Sequence, residues 1–413
     1  MRHPRDHIFE FNPETLAAWC TQRGMPAFRA KQILEWVYQK GIADPAQMSS
    51  LSKRDRDLLS AEMVFLSGQT VASKAASDGT KKLLVQWDDF DDQGQRLAGS
   101  PSTGTRDTTP GDGSGDANAV SLSVLGQGPT RGGDEPAAGV VLDPSRQTEC
   151  VMIPVDTQDD EGKPVRRRTA CISSQVGCPV GCKFCASGIG GLEGNLSAGR
   201  IVEQVWRLGR LEGVSRISNV VFMGMGEPLS NMQNVIGAIR VICSLWGLGI
   251  SARKVTISTV GLPKAIEKLA EELELPVTLA LSLHAPTDEI RRSLIPWANY
   301  TTIDELLDAC DKWFRKTGRE ITLEYTLLRE INDRGEHAER LASLAKSLRA
   351  NVNLIRYNEV AGMPFNRPRT DDVLRFQSIL NARGVNSHIR ASRGRDIAAA
   401  CGQLRHETGP KAK

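Results

Sequence analysis

The sequence predicts an α/β chain. A partial (β/α)6 barrel is preceded by an N-terminal helical accessory domain and interrupted early by a disordered hairpin insertion. Three observations carry this. From Thr169 onward short β-branched runs alternate with amphipathic segments, the pattern of βα units around a parallel sheet. Residues 10–65 instead repeat apolar side chains at helical spacing, and a tract with ten of the 38 glycines lies between two strand candidates.

The helical segment comes first. Leu16, Trp19, Cys20 and then Ile33, Trp36, Val37 recur at i, i+3, i+4, with a break near Gly24 and Pro26, and Ser52 is placed to cap a further short helix. Its spread of Arg and Lys makes a basic-faced module for residues 1–70. Residues 71–165 form a hairpin linker, with strands at 81–88 and 148–153. The intervening residues, about 91–143, hold no aromatic or Cys beyond Gly99 and cannot bury enough apolar surface to offset ordering. The barrel spans 166–385. Its strands are Thr169–Ser174, Asn219–Gly224, Lys254–Thr259, Val277–Leu283, Ile321–Leu328 and Val352–Tyr357. Helices are expected at Ala198–Leu211, Met232–Trp246, Pro263–Leu273, Thr302–Lys316 and Glu336–Leu348. A C-terminal segment, 386–413, adds a strand near Ser387–Ala391 and a small helix over Asp396–Leu404. In such folds chemistry gathers where strands end.

Composition limits the function. With 413 residues, 52 Lys and Arg against 49 Asp and Glu, and a formal charge of +3, the chain neither demands nor forbids a nucleic-acid partner. No run is apolar enough for a membrane span, and Met1–His7 lacks the apolar core of a signal peptide. Nine cysteines in such a chain read as reduced cytoplasmic thiols, used for metal binding or catalysis.

Cys178, Cys182 and Cys185 form C-x3-C-x2-C on a loop after the first barrel strand. Zinc would want a fourth ligand, such as Cys171 or His284, and a zinc-dependent RNA-binding module without catalysis is one reading. A [4Fe-4S] cluster held by three thiolates, with one iron free to chelate, is the other. Gly226 and Glu227 follow an apolar strand, where backbone can approach a ligand and a carboxylate can meet an ammonium. Ser258, Ser282, Leu283, His284 and Asn358 sit at further strand ends.

The cysteine loop, with Phe184 between its last two ligands, resembles that of the radical S-adenosylmethionine (SAM) superfamily. Arg168–Cys178, Gly224–Pro228, Ser282–Pro286 and Arg393–Leu404 together resemble the dual-specificity RNA adenine-C2 methyltransferases over essentially residues 10–405. The resemblance implies a radical-SAM barrel with one [4Fe-4S] cluster on Cys178, Cys182 and Cys185. It implies SAM, two per turnover, bound through Gly226, Glu227, Ser258, Ser282, Leu283, His284 and Asn358. It makes Cys401 the S-methylcysteine intermediate, Glu149 the proton acceptor, and Cys171 the thiol that resolves an enzyme–RNA adduct through a transient disulfide with Cys401. Implied partners are 23S ribosomal RNA, the anticodon loop of some transfer RNAs, and a flavodoxin-like or ferredoxin-like electron donor. A related activity at adenine C8 uses the same five cysteine roles and stays open. Arg166–Arg168, Arg390, Arg393, Arg395, Lys411 and Lys413 are candidate phosphate contacts. Cys243 and Cys310 read as core.

Overall fold

Local signals set the first helices. Asn12 accepts from the Thr15 amide (2.8 Å) and Pro13 opens α1, Pro13–Gln22, while α2 spans Arg29–Leu34. Ser52 accepts from the Asp55 amide and starts α3, Lys53–Glu62, as expected. The structure, a computed structural model, describes residues 1–91, 95–97, 142–158, 162–348 and 350–404. Almost all of the expected insertion, together with Lys411 and Lys413, lies outside them.

Ten strands form one sheet. β1 (Gly68–Ala75), β2 (Lys81–Trp87) and β3 (Gln147–Gln158) are antiparallel neighbours, and β4 (Pro164–Cys171) pairs antiparallel with β3. A small ribbon follows, β5 (Gln175–Gly177) with β6 (Leu192–Asn195). Then come α4 (Ala198–Leu208), β7 (Asn219–Phe222), α5 (Met232–Cys243), β8 (Val255–Thr259), α6 (Pro263–Glu272), β9 (Thr278–Ser282), α7 (Asp288–Leu294) and α8 (Ile303–Thr317). The chain continues through β10 (Ile321–Leu327), α9 (Gly335–Leu348), β11 (Asn351–Arg356), α10 (Thr370–Ala382) and β12 (Ser387–Arg390). From β4 the order β4-β7-β8-β9-β10-β11-β12 is parallel throughout. This is the expected βα barrel, extended by β12 and flanked by the antiparallel β1–β3.

Three expectations need correction. Residues 154–158 and 164–168, given no strand in the expected linker, extend β3 and β4: Pro154 pairs with Arg168 and Gln158 with Pro164, so Arg166–Arg168 stand on β4. Asp396–Leu404 is not a helix beyond the single turn Arg395–Ile397, because Ala398 (φ 50°) and Gly402 (φ 84°) break the helical path. β1 was not foreseen, since Val71 and Gly68 are its only buried residues.

The helical module is fused to the barrel by α4. Trp206 donates to the Val37 carbonyl (2.8 Å), and Phe9 packs between Tyr38 and Trp206. Beneath them Glu203, fully buried, binds Arg207 (2.6 Å) and the Ser67 amide and hydroxyl (both 2.8 Å), with His7 3.3 Å away. That satisfies a charge which burial alone would make costly.

Candidate active site

The cysteine loop is shaped by glycine. Gly177 has φ +72°, and a Cβ there would lie 2.0 Å from the Gly191 carbonyl oxygen, so the ribbon closes only without a side chain. The Cys178 amide donates to that same carbonyl (2.9 Å) and the Cys185 amide to Cys182 (3.1 Å). Burial pushes the Cys178 thiol up to about 12 and the Cys182 and Cys185 thiols upward, and for Cys182 the two neighbours add to the effect. Three crowded thiolates in such a place need a compensating cationic core, so the donor set fits an iron–sulfur cluster. Among the described residues no three His, Cys, Asp or Glu side chains converge as ligands of one ion.

The three cysteines share a cavity of about 150 Å³ with Gly226, Glu227, Ser258, Ser282, His284, Asn358 and Cys401. The sequence-predicted cofactor residues are therefore gathered at the C-terminal ends of the strands, except Leu283, whose side chain is fully buried outside the lining. Gly226 (φ +102°) is needed because a Cβ would come within 2.7 Å of Ser174 and Gln175. Glu227 is buried, and its carboxylate accepts from the Leu229 (3.0 Å) and Val260 (2.9 Å) amides. It joins the exits of β7 and β8 while still lining the cofactor cavity. His284 accepts at Nδ1 from the Thr326 amide (3.0 Å), and burial and Arg291 pull it down to about 3. It is a neutral imidazole with its proton on Nε2.

Cys401 also borders a second, larger cavity of about 450 Å³, whose walls include Cys171 and Arg390. Met223, Glu324, Ile355, Asn358, Arg390 and Cys401 are common to both cavities and form the partition between them. The Cys401 carbonyl accepts from Asn358 Nδ2 (3.2 Å), and the next carbonyl, of Gly402, accepts from the Ala186 amide (2.8 Å), tying the tail to the cysteine loop. Cys171 ends β4. Burial and then Cys401 push its thiol up to about 12, while Arg390 opposes them.

Arg390, expected as a phosphate contact, is already paired inside the barrel. Partly exposed and beside Cys401, it meets Glu324 Oε2 (3.2 Å) and Met223 Sδ (3.3 Å) through Nη1. Glu324 takes a further bond from Asn353 (2.9 Å). Sequence reasoning missed this pair, although a carboxylate inside the apolar run Ile321–Leu328 was a visible signal. Glu149 is not solvated either. It is 2% exposed near the start of β3, 2.6 Å from Lys82, and lines neither cavity. Two positions on, Val151 is the cross-strand partner of Cys171.

Sequence and structure comparisons agree with this geometry. The radical SAM superfamily profile matches residues 172–344, and that of the ribosomal RNA large subunit methyltransferase N-terminal domain matches residues 7–64. A solved radical SAM methyltransferase from Sphaerobacter thermophilus superposes with a TM-score of 0.77 at 33% identity, covering 97% of this chain and 99% of that one. Fold and site thus define a radical SAM methyltransferase. A probable dual-specificity RNA methyltransferase RlmN of Rhodopirellula baltica is 38% identical over 98% of this chain and 92% of its own length, and a dual-specificity RNA methyltransferase RlmN of Dichelobacter nodosus is 36% identical over 96% and 93%. The chain belongs to this dual-specificity RNA methyltransferase family. Among the described residues no helix is long and apolar enough to cross a membrane.

Proposed function

We propose that the enzyme methylates C2 of adenine in 23S ribosomal RNA and in the anticodon loop of some transfer RNAs, with Cys401 as the carbon carrier. The observation that supports this most is the position of Cys401 on the partition between a cofactor cavity and a larger cavity shared with Cys171.

Cys178, Cys182 and Cys185 would hold the [4Fe-4S] cluster, and Gly226, Ser258, Ser282, His284 and Asn358 would surround SAM. Bound there, cluster and SAM supply a carbon radical, and a second SAM supplies the methyl group. The protein's own part follows from its side chains. Adenine C2 lies between two ring nitrogens and is too electron-poor to attack a methyl sulfonium itself, whereas a thiolate attacks readily. Arg390, paired with Glu324, puts a positive charge beside the Cys401 sulfur that acts as methyl acceptor.

Once the carbon on Cys401 is joined to the base, protein and RNA are tethered. Cys171 then attacks the Cys401 sulfur. An S–S bond forms as the C–S bond breaks, and the departing carbon keeps the electron pair and takes up a proton. Glu149 is read as acceptor of the C2 proton, reached by rearrangement around Lys82. A thiol reductant restores the cysteines, and a flavodoxin-like or ferredoxin-like donor supplies the cluster's electron.

The test is product analysis. Anaerobic enzyme with reductant and SAM should convert adenine in a ribosomal RNA fragment to 2-methyladenosine, identified by nucleoside mass spectrometry. Finding 8-methyladenosine alone would replace this reading with the C8 activity.

A further inference from the structure

Parallel βα barrels normally fill their interior with layers of branched aliphatic side chains. Here Thr169, Asn219, Thr256, Thr278, Thr322 and Asn353 line the inner cavity of about 450 Å³. Asn219 and Thr278 are the first residues of β7 and β9, so this polar lumen runs from the N-terminal ends of the strands up to Cys171 and Cys401. Its volume lies in the range of sites that enclose one small organic group.

At its lower end the lumen is cationic. Arg253 and Lys254, just before β8, line it together with Arg167. Lys254 also lines a cleft of about 600 Å³ built from residues 213–218 and 249–251, the loops that enter β7 and β8, with Arg166 and Arg216. Arg167, Arg216, Arg253 and Lys254 make no ion pair among the described residues, whereas Arg168 is taken by Asp156 (2.7 Å), which also faces Arg166 across the strands. Among the described residues Glu324 is the one carboxylate lining the lumen or the cleft, and it lies at the inner end against Arg390. The opposite end is covered: Asn358, Ala186 and Ser187 hold the carbonyls of Cys401, Gly402 and Leu404 across the mouth.

We propose that RNA reaches Cys401 from the N-terminal end of the barrel, its phosphates held by Arg166, Arg216, Arg253 and Lys254 while the target nucleotide enters the polar lumen. This rests on the reading of the enzyme as an RNA methyltransferase. Cations at the entrance of a hollow lumen whose one carboxylate is already matched by Arg390 suit a polyanion that must present one neutral base at its tip. On the N-terminal face of a βα barrel, residues before the strands ordinarily serve stability alone, which would not require unpaired charge.

The test uses intact holoenzyme and an RNA hairpin with a single adenine exposed in its loop. For the double variant Arg253→Gln, Lys254→Gln, affinity measured by fluorescence anisotropy should fall roughly tenfold, and the slope of log affinity against log salt should shrink by about 1.5. Arg315→Gln, exposed on α8 and lining neither the lumen nor the cleft, serves as the control and should stay within about twofold. In a second variant, Thr278→Phe, the lumen is plugged. RNA affinity should persist while methylation falls at least roughly tenfold. Iron content reports the integrity of each protein. Wild-type affinity and slope in the double variant, or wild-type turnover in Thr278→Phe, with iron content intact, would overturn the route. The affinity arm needs no turnover, so a wild-type enzyme that binds the hairpin but forms no methyladenine would count against the proposed reaction and not against the binding face.

Discussion

At Cys171 two opposing effects meet: burial and the nearby Cys401 push its thiol up to about 12, and Arg390 draws it down. In the adduct Cys401 is an uncharged thioether, but burial, the larger cause, persists, so the thiol stays mostly protonated near neutrality and the resolving step has little nucleophile available. Because the folded thiol deprotonates only as pH rises, release of the RNA adduct should accelerate up to about tenfold per pH unit between about pH 7 and 9. Rapid-quench measurement of adduct decay checks this, and a flat profile would place the slow step elsewhere. Arg390→Gln removes the opposing cation and should slow adduct release at every pH, with Arg390→Lys recovering part of the loss. Equal decay rates in wild type and Arg390→Gln would deny Arg390 this role. Lys82 and Glu149 illustrate how context outweighs type, since a carboxylate that looks solvated in sequence is buried through a lysine on the neighbouring strand.

The βα elements and their strand-end residues could be read from the chain because each depends on local pattern. Apolar runs end at Gly224, Thr259 and Ser282, and the chemistry sits just beyond them. Gly226 is the most exacting of these positions. Gly226→Ala brings a Cβ within 2.7 Å of Ser174 and Gln175 at a φ of +102°, and SAM affinity should fall at least roughly tenfold for such strain. Equilibrium binding to cluster-loaded protein measures it, and unchanged affinity would show that the turn adapts. Other elements were illegible for physical reasons. β1 is largely polar because it packs through β2 more than through its own side chains, and α7 is only seven residues long. In α10 the buried Val373, Phe376 and Leu380 did carry a helical period, and it was overlooked. The partition residues Arg390 and Glu324 come from β12 and β10, so only the folded sheet reveals them as partners.

The whole molecule depends on joining the helical module to the barrel, and Glu203 is where that junction is most charged. Burial would raise its carboxyl, but Arg207 and His7 outweigh it and hold the group at about 2. A folded value below the unfolded one contributes stability above the unfolded value of about 4.5, lost as pH falls from there toward about 2. Chemical unfolding followed against pH should show that loss in wild type and a flatter curve in Glu203→Gln. Glu203→Ala strands Arg207 in a buried site and should cost about 3–5 kcal/mol. A urea midpoint unchanged in Glu203→Ala would show that the junction is not held electrostatically. The account of the reaction rests on the relation between Cys401 and Cys171 across the barrel mouth. Its most direct measurement is peptide mapping of Cys171→Ala after anaerobic incubation with reductant, SAM and RNA. RNA should remain covalently joined to the protein through the Cys401 peptide. Free RNA methylated at the wild-type rate, with no joined species, would contradict the account.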